Sequence, residues 1–179
     1  MPSTDMLQQL ASPFPGLEDS LAKSVTNIAF DQAPDPYNTL LVHSNHMTVV
    51  MESHYGCPVD VHVLQEHRSD PIYSREIILT RSDTQDVVQY GLVRIDLSLV
   101  DPPVRDEILA GVQPLGRVLI KHNVLRELEL TSVLKIAPGP RLREMLGCTA
   151  KTTLYGRFAA ISCNGQRAVD VLEIPAPVR

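Results

Sequence analysis

Two charged residues stand where the hydrophobic pattern calls for apolar ones. In the run Ile-Tyr-Ser-Arg-Glu-Ile-Ile-Leu-Thr at 72–80, period-two spacing puts Tyr73, Arg75, Ile77 and Leu79 on one strand face. Arg75 is the only charge there. If that face is the inner one, its guanidinium needs a partner, because an unpaired buried charge is very costly. A ligand carboxylate suits it, since the guanidinium fork matches a carboxylate bidentately. The alternative makes Ile72, Ser74, Glu76 and Ile78 the core face and leaves Arg75 on the surface. Near the C-terminus, Val169, Val171 and Glu173 share a face. A carboxyl group among valines has its pKa raised by desolvation, which suits acid–base chemistry. The simpler alternative is a solvated strand end beside Pro175-Ala176-Pro177. Between the two charges in sequence, Pro114-Leu115-Gly116 opens a helix. Its first backbone N–H groups are free and sit at the positive end of the helix, a natural place for the same carboxylate.

Other reactive residue types carry less. His43 and His46 are three apart and can share a helix face, but no Glu or third His stands at a recognised zinc spacing, so no metal site is expected. Cys57, between Gly56 and Pro58, has no His or basic residue beside it and reads as a loop thiol. GxSxG, GxGxxG, P-loop and HExxH patterns are all missing. That removes the best-marked hydrolase, dinucleotide, NTPase and metalloprotease classes, and no cofactor is implied.

The elements that must position these residues can be read from spacing. A chain of 179 residues is of single-domain length. Residues 1–38 read as an N-terminal extension, broken by Pro13, Pro15, Gly16 and the run Ala-Pro-Asp-Pro-Tyr-Asn at 33–38. Residues 39–179 form the main unit of one compact domain. Leu40, Leu41, Met47, Val50 and Met51 recur at helical spacing, with a break near 44–46 where Asn45 and Thr48 offer capping oxygens. The period then changes to two, and strands are expected at about 59–64, 72–80 and 87–98. Two helices follow, one capped by Asp101 and running over 104–110, the other opening at 114–116. A fourth strand at 125–136 and a helix at 138–147 lead to two last strands, 152–163 and 167–174, around Asn164-Gly165. That dipeptide is a strong hairpin signal. Short spacers mean antiparallel neighbours, so the fold class is α+β with about six antiparallel strands.

Composition excludes several roles. Net charge is −5, from 16 Lys+Arg against 21 Asp+Glu, with no Trp and only three Phe, which argues against nucleic acid as a partner. The three cysteines are odd in number and widely spaced, which fits a reducing compartment. The N-terminus has no signal-peptide pattern and no apolar run approaches 18 residues, so a cytoplasmic chain with no membrane span is expected. Monomer and dimer are both left open.

From Thr39 to Pro175 the sequence resembles the chorismate pyruvate-lyases. The resemblance rests on Met-Thr-Val-Val-Met-Glu at 47–52, Ser-Arg-Glu-Ile-Ile-Leu at 74–79, Pro-Leu-Gly-Arg-Val-Leu at 114–119, and the glycine hairpin at Gly165 followed by Glu173. Tyr-Gly-Arg at 155–157 also resembles the family's Trp-Gly-Arg. The resemblance implies an antiparallel sheet with helical flaps enclosing a ligand pocket. It implies an enzyme, a carbon–oxygen lyase that converts chorismate to 4-hydroxybenzoate and pyruvate without a cofactor. Arg75 would hold the ring carboxylate with the backbone of Leu115, Gly116 and Met47, and Glu173 would meet the hydroxyl at the far end of the ring. One departure stands out: after Gly91, where better-known members have an arginine, this chain has Leu92. Arg94, on the same strand face, is the candidate substitute.

The competing expectation is a non-catalytic domain of the same fold that binds an aromatic carboxylate, as in the effector-sensing domains of certain bacterial repressors. Those are usually fused to a winged-helix domain, for which the 38 residues before the matched region are too short and too acidic, and this favours the lyase.

Overall fold

The computed structural model describes residues 3–178. Seven strands form one antiparallel sheet: β1 (Ala22–Ile28), β2 (Val59–Ser69), β3 (Ile72–Arg81), β4 (Val87–Asp96), β5 (Arg126–Pro138), β6 (Leu154–Cys163) and β7 (Gln166–Pro175). Their order across the sheet is β1-β5-β6-β7-β4-β3-β2. Two three-strand meanders, β2-β3-β4 and β5-β6-β7, are joined side by side through the β4–β7 pairing. Short turns make each meander. At the β6–β7 turn, Asn164 and Gly165 have φ of 53° and 81°, the left-handed pair that the Asn-Gly dipeptide favours.

The sheet is covered on both faces. Helices α1 (Ser3–Ala11), α2 (Leu17–Leu21) and α7 (Pro140–Leu146) cover one face through Leu10, Leu21, Leu142 and Leu146. Helices α3 (Tyr37–Leu41), α4 (Met47–Tyr55), α5 (Pro102–Ala110) and α6 (Leu115–Lys121) cover the other through Leu41, Met51, Ile108 and Leu119. This double burial explains why the sequence offers apolar residues on both faces of β3, β4 and β7. Neither face of Arg75's strand is solvent.

The elements from 47 onward fall close to their expected places, and the α+β class holds. The differences have physical causes. The sheet has seven strands, not about six, because the segment that reads as an extension supplies β1. Val25 pairs with Ile136 and Ile28 with Val133, along the edge of β5. Leu10, Phe14, Leu17 and Leu21 are buried in the core beneath that face. Residues 3–28 are therefore part of the domain's core rather than an appendage to it. The break between α3 and α4 falls where expected, but His46 occupies the N-cap and makes no side-chain cap bond. Asp101 likewise sits at the N-cap of α5 without capping it, and Pro102 and Pro103 start that helix.

Candidate functional site

Antiparallel pairing builds the floor of a cavity from three adjacent rows on the α4/α6 face. One row is Arg75, Val93 and Val171; the next is Ile77, Gly91 and Glu173; the third is Leu79, Gln89 and Pro175. Gly91, the only one of these with no side chain, leaves a dip at the centre. A Cβ there would come within 3.2 Å of the Ile77 side chain. The roof comes from the first turns of α4 and α6, with Met47, Thr48, Leu115 and Gly116 facing the cavity. Its volume is about 50 Å³. The two helix starts press together: a Cβ on Gly116 would lie 2.9 Å from the Cβ of His46, so only glycine fits. In α6 the first intrahelical bonds are from Arg117 and Val118 N–H to the Pro114 carbonyl, which leaves the Leu115 and Gly116 N–H groups outside the helix's own ladder. Farther along, Arg117 donates to Glu52 and ties α6 to α4.

Arg75 is 1% exposed. Its Nη1 reaches the Ile108 carbonyl at 3.5 Å, the outer limit of a hydrogen bond, and its Nε has no partner. Among the described residues it makes no ion pair. Burial pulls the guanidinium pKa below its ordinary value, against the opposing influence of Tyr73 and Glu66. Its neighbour Glu76 points to the other face, is wholly buried, and is fully served. It accepts from Tyr90 Oη at 2.8 Å, Gln65 Nε2 at 2.8 Å, and Arg141 Nε and Nη2 at 2.8 and 2.9 Å. Burial alone would raise the Glu76 pKa, but these donors together hold it below the ordinary carboxylate value.

Glu173 is on the cavity floor, but it is not a lone carboxyl among valines. Arg157, directly across on β6, donates from Nε to Glu173 Oε2 at 2.7 Å. Arg157 is wholly buried, and its other nitrogens donate to the carbonyls of Leu41, His43 and Asn45 at 3.1–3.2 Å. The pair thus fastens the α3–α4 connection to the sheet. Arg157 was legible in principle, since it is the lone charge in the row Tyr155, Arg157, Ala159, Ile161, the same oddity that marks Arg75. His46 completes the rim. It accepts from Arg126 Nε at 2.8 Å, and burial, then Arg126, then Arg157, lower its pKa to about 4.

The structure therefore brings Arg75, Glu173, Leu115, Gly116 and Met47 around one cavity. It does not bring Arg94 there. Arg94 shares a face with Leu92, as expected, but that face is turned away from the cavity. Leu92 is buried with Tyr90, Leu172 and Ile174, and Arg94 lies 3.8 Å from Asp170. Strand parity forbids the substitution, and Arg94 is removed from the ligand-binding set. Gln89 is a cavity residue that the sequence pattern did not mark.

Three larger grooves are seen among the described residues, about 270 Å³ beside Arg167, about 570 Å³ beside Arg81 and about 510 Å³ beside Arg126. Their arginines are already engaged, Arg167 with Asp170 at 2.5 Å, Arg81 with Asp83 at 2.6 Å, and Arg126 with His46 at 2.8 Å and the Val124 carbonyl at 3.2 Å. Among the described residues, only the cavity over Gly91 holds a buried guanidinium with a nitrogen left unserved.

Solved structures place this architecture. PhnF from Mycobacterium smegmatis is 13% identical, with a TM-score of 0.58 over 75% of this chain and 65% of that one. The effector domain of PhnF is matched at 12% identity and a TM-score of 0.52, over 74% of this chain and 88% of that one. The fold is similar to that of the PhnF effector domain. A GntR-family transcriptional regulator from Bacillus cereus is also matched, at 9% identity and a TM-score of 0.46, over 66% of this chain and 92% of that one. The chain spans just under two thirds of the whole PhnF chain. No protein-family model matches the chain, and no curated protein matches it.

The expected lyase is corrected by these findings. The likeness is to PhnF and to its effector domain, and it gives no support to a lyase. In the site, the carboxyl expected to move a proton is held in an ion pair by Arg157. No helix among the described residues is long and apolar enough to cross a membrane.

Proposed function

We propose that this chain is a non-catalytic ligand-binding domain that senses a small organic carboxylate, an aromatic one of a single ring in particular. The observation that carries this is the Arg75 guanidinium, buried in the cavity floor with no ion pair among the described residues and an unused Nε. A buried cation left without a partner is costly, and a ligand carboxylate removes that cost. The Leu115 and Gly116 N–H groups, and the start of α4 at Met47, lie above the same cavity and add donors for an anion. The likeness to the PhnF effector domain supports a sensor. Glu173 serves by anchoring Arg157 and the α3–α4 connection under the roof.

Calorimetric titration with benzoate tests the reading. The wild-type chain should bind, and Arg75→Met should weaken binding by about 30-fold or more, the effect of losing a charge-assisted bidentate contact in a dry site. The same variant should melt no lower than wild type, because methionine fills the space without burying a charge. Unchanged benzoate affinity in folded Arg75→Met overturns the assignment.

A further inference from the structure

Arg75 is not the only unsatisfied group in the cavity. Gln89 is 2% exposed, lines the floor, and its side-chain oxygen has no hydrogen-bond partner. It lies in the third row, while Arg75 lies in the first, opposite Val93. Gln89 and Val93 are four steps apart along β4, which at about 3.3 Å per residue is about 13 Å along the strand. Both side chains reach inward, and Gly91 leaves the floor between them low. That span suits one ring with a polar substituent at each end. Glu173, diagonal to Gln89, already accepts from Arg157 through Oε2. The cavity therefore has an unserved donor at one end and an unserved acceptor at the other. A fold that keeps both loses stability unless a ligand satisfies both.

We propose that Gln89 is a specificity-determining residue. Its side-chain oxygen accepts a hydrogen bond from a hydroxyl or amino group of the ligand, at the end remote from the carboxylate on Arg75. The ligand class is thereby narrowed to hydroxy- or amino-substituted carboxylates. This rests on the anion site described above.

The test uses benzoate and 4-hydroxybenzoate as probes, titrated into the wild-type chain and Gln89→Leu. Leucine keeps nearly the same volume and cannot hydrogen-bond. The wild-type chain should prefer 4-hydroxybenzoate by about tenfold or more, because a buried acceptor discriminates against an analogue that lacks the donor. In Gln89→Leu the two probes should bind alike, with benzoate no weaker than in wild type. The ligand-free variant should melt at the same or a higher temperature, since an orphaned buried acceptor is gone. Gln89→Met is the second variant, with the same expectation, should leucine impair folding. Equal affinities in wild type, or a preference that survives both substitutions, overturn the role of Gln89 and leave the anion site standing. Failure of both probes to bind wild type overturns the anion site and this inference with it.

Discussion

Arg75 and Glu76 are sequence neighbours of opposite charge, and the pleat of β3 sends them to opposite faces. Each is almost wholly buried, yet they are treated differently. Glu76 is surrounded by donors from β2, β4 and α7, whereas Arg75 has one distant carbonyl, the Tyr73 hydroxyl and the more remote charge of Glu66, with its Nε unserved. The first is a structural charge and the second an available one. Substitution separates these roles. Glu76→Ala leaves the Arg141 guanidinium without its partner and should cost about 3–5 kcal/mol of folding stability. Chemical denaturation measures it, and a loss below about 1 kcal/mol would show that Arg141 finds water instead. Arg75→Met, by contrast, should cost binding and not stability.

At the scale of elements, the cavity exists because a glycine in β4 meets two helix starts that press together. Gly91→Val fills the dip in the floor while keeping a residue that strands favour. It should abolish benzoate binding and destabilise the fold by about 1–3 kcal/mol through overpacking against Ile77. Titration and melting of one preparation read both effects, and retained binding would place the ligand elsewhere. The roof brings a pH dependence. His46 at the start of α4 is held neutral between Arg126 and Arg157, with its pKa lowered to about 4 from 6.5. Because the folded value is the lower one, the unfolded chain takes up the proton first as pH falls. The His46 contribution is fully present above about pH 6.5 and is lost as pH falls toward 4. Solvent at the half-open ring keeps it below about 3 kcal/mol. His46→Gln should flatten the stability–pH profile between those limits, and an unchanged slope would assign it to other groups.

At the scale of the whole molecule, residues 3–21 and α7 form a second layer beneath the sheet, away from the cavity. Their contact is backbone-tight. Gly139 N–H donates to the Leu21 carbonyl at 2.9 Å, and a Cβ on Gly139 would lie 2.3 Å from the Ser20 carbonyl oxygen. Phe14, 3% exposed, is buried in this layer. Phe14→Ala should therefore cost about 3–5 kcal/mol, as for a core residue and unlike one in a loose extension. Equilibrium unfolding decides between the two, and a loss under about 1 kcal/mol would return the segment to an appendage. The double layer also has a consequence for function. With one face given over to stability, ligand chemistry is confined to the other, beneath α4 and α6.

By itself the sequence determined the local elements. Alternation and turn residues such as Asn164-Gly165 located six of the seven strands, because period-two burial and turn geometry are local properties. It also singled out Arg75 and the Pro114-Leu115-Gly116 helix start, since a lone charge on an apolar face and a proline opening a helix are visible without a partner in view. Tertiary structure decided what local pattern cannot carry. The edge strand β1 owes its state to pairing with β5, more than a hundred residues away. Which face of β4 meets the cavity was set by its register with β3 and β7, and that excluded Arg94 and admitted Gln89. Glu173 changed from a desolvated acid to half of an ion pair only because β6 places Arg157 across from it. Charge partners and cavities are relations between distant segments, so the chemistry of this site follows from the pairing of the two meanders, while its raw materials are written along the chain.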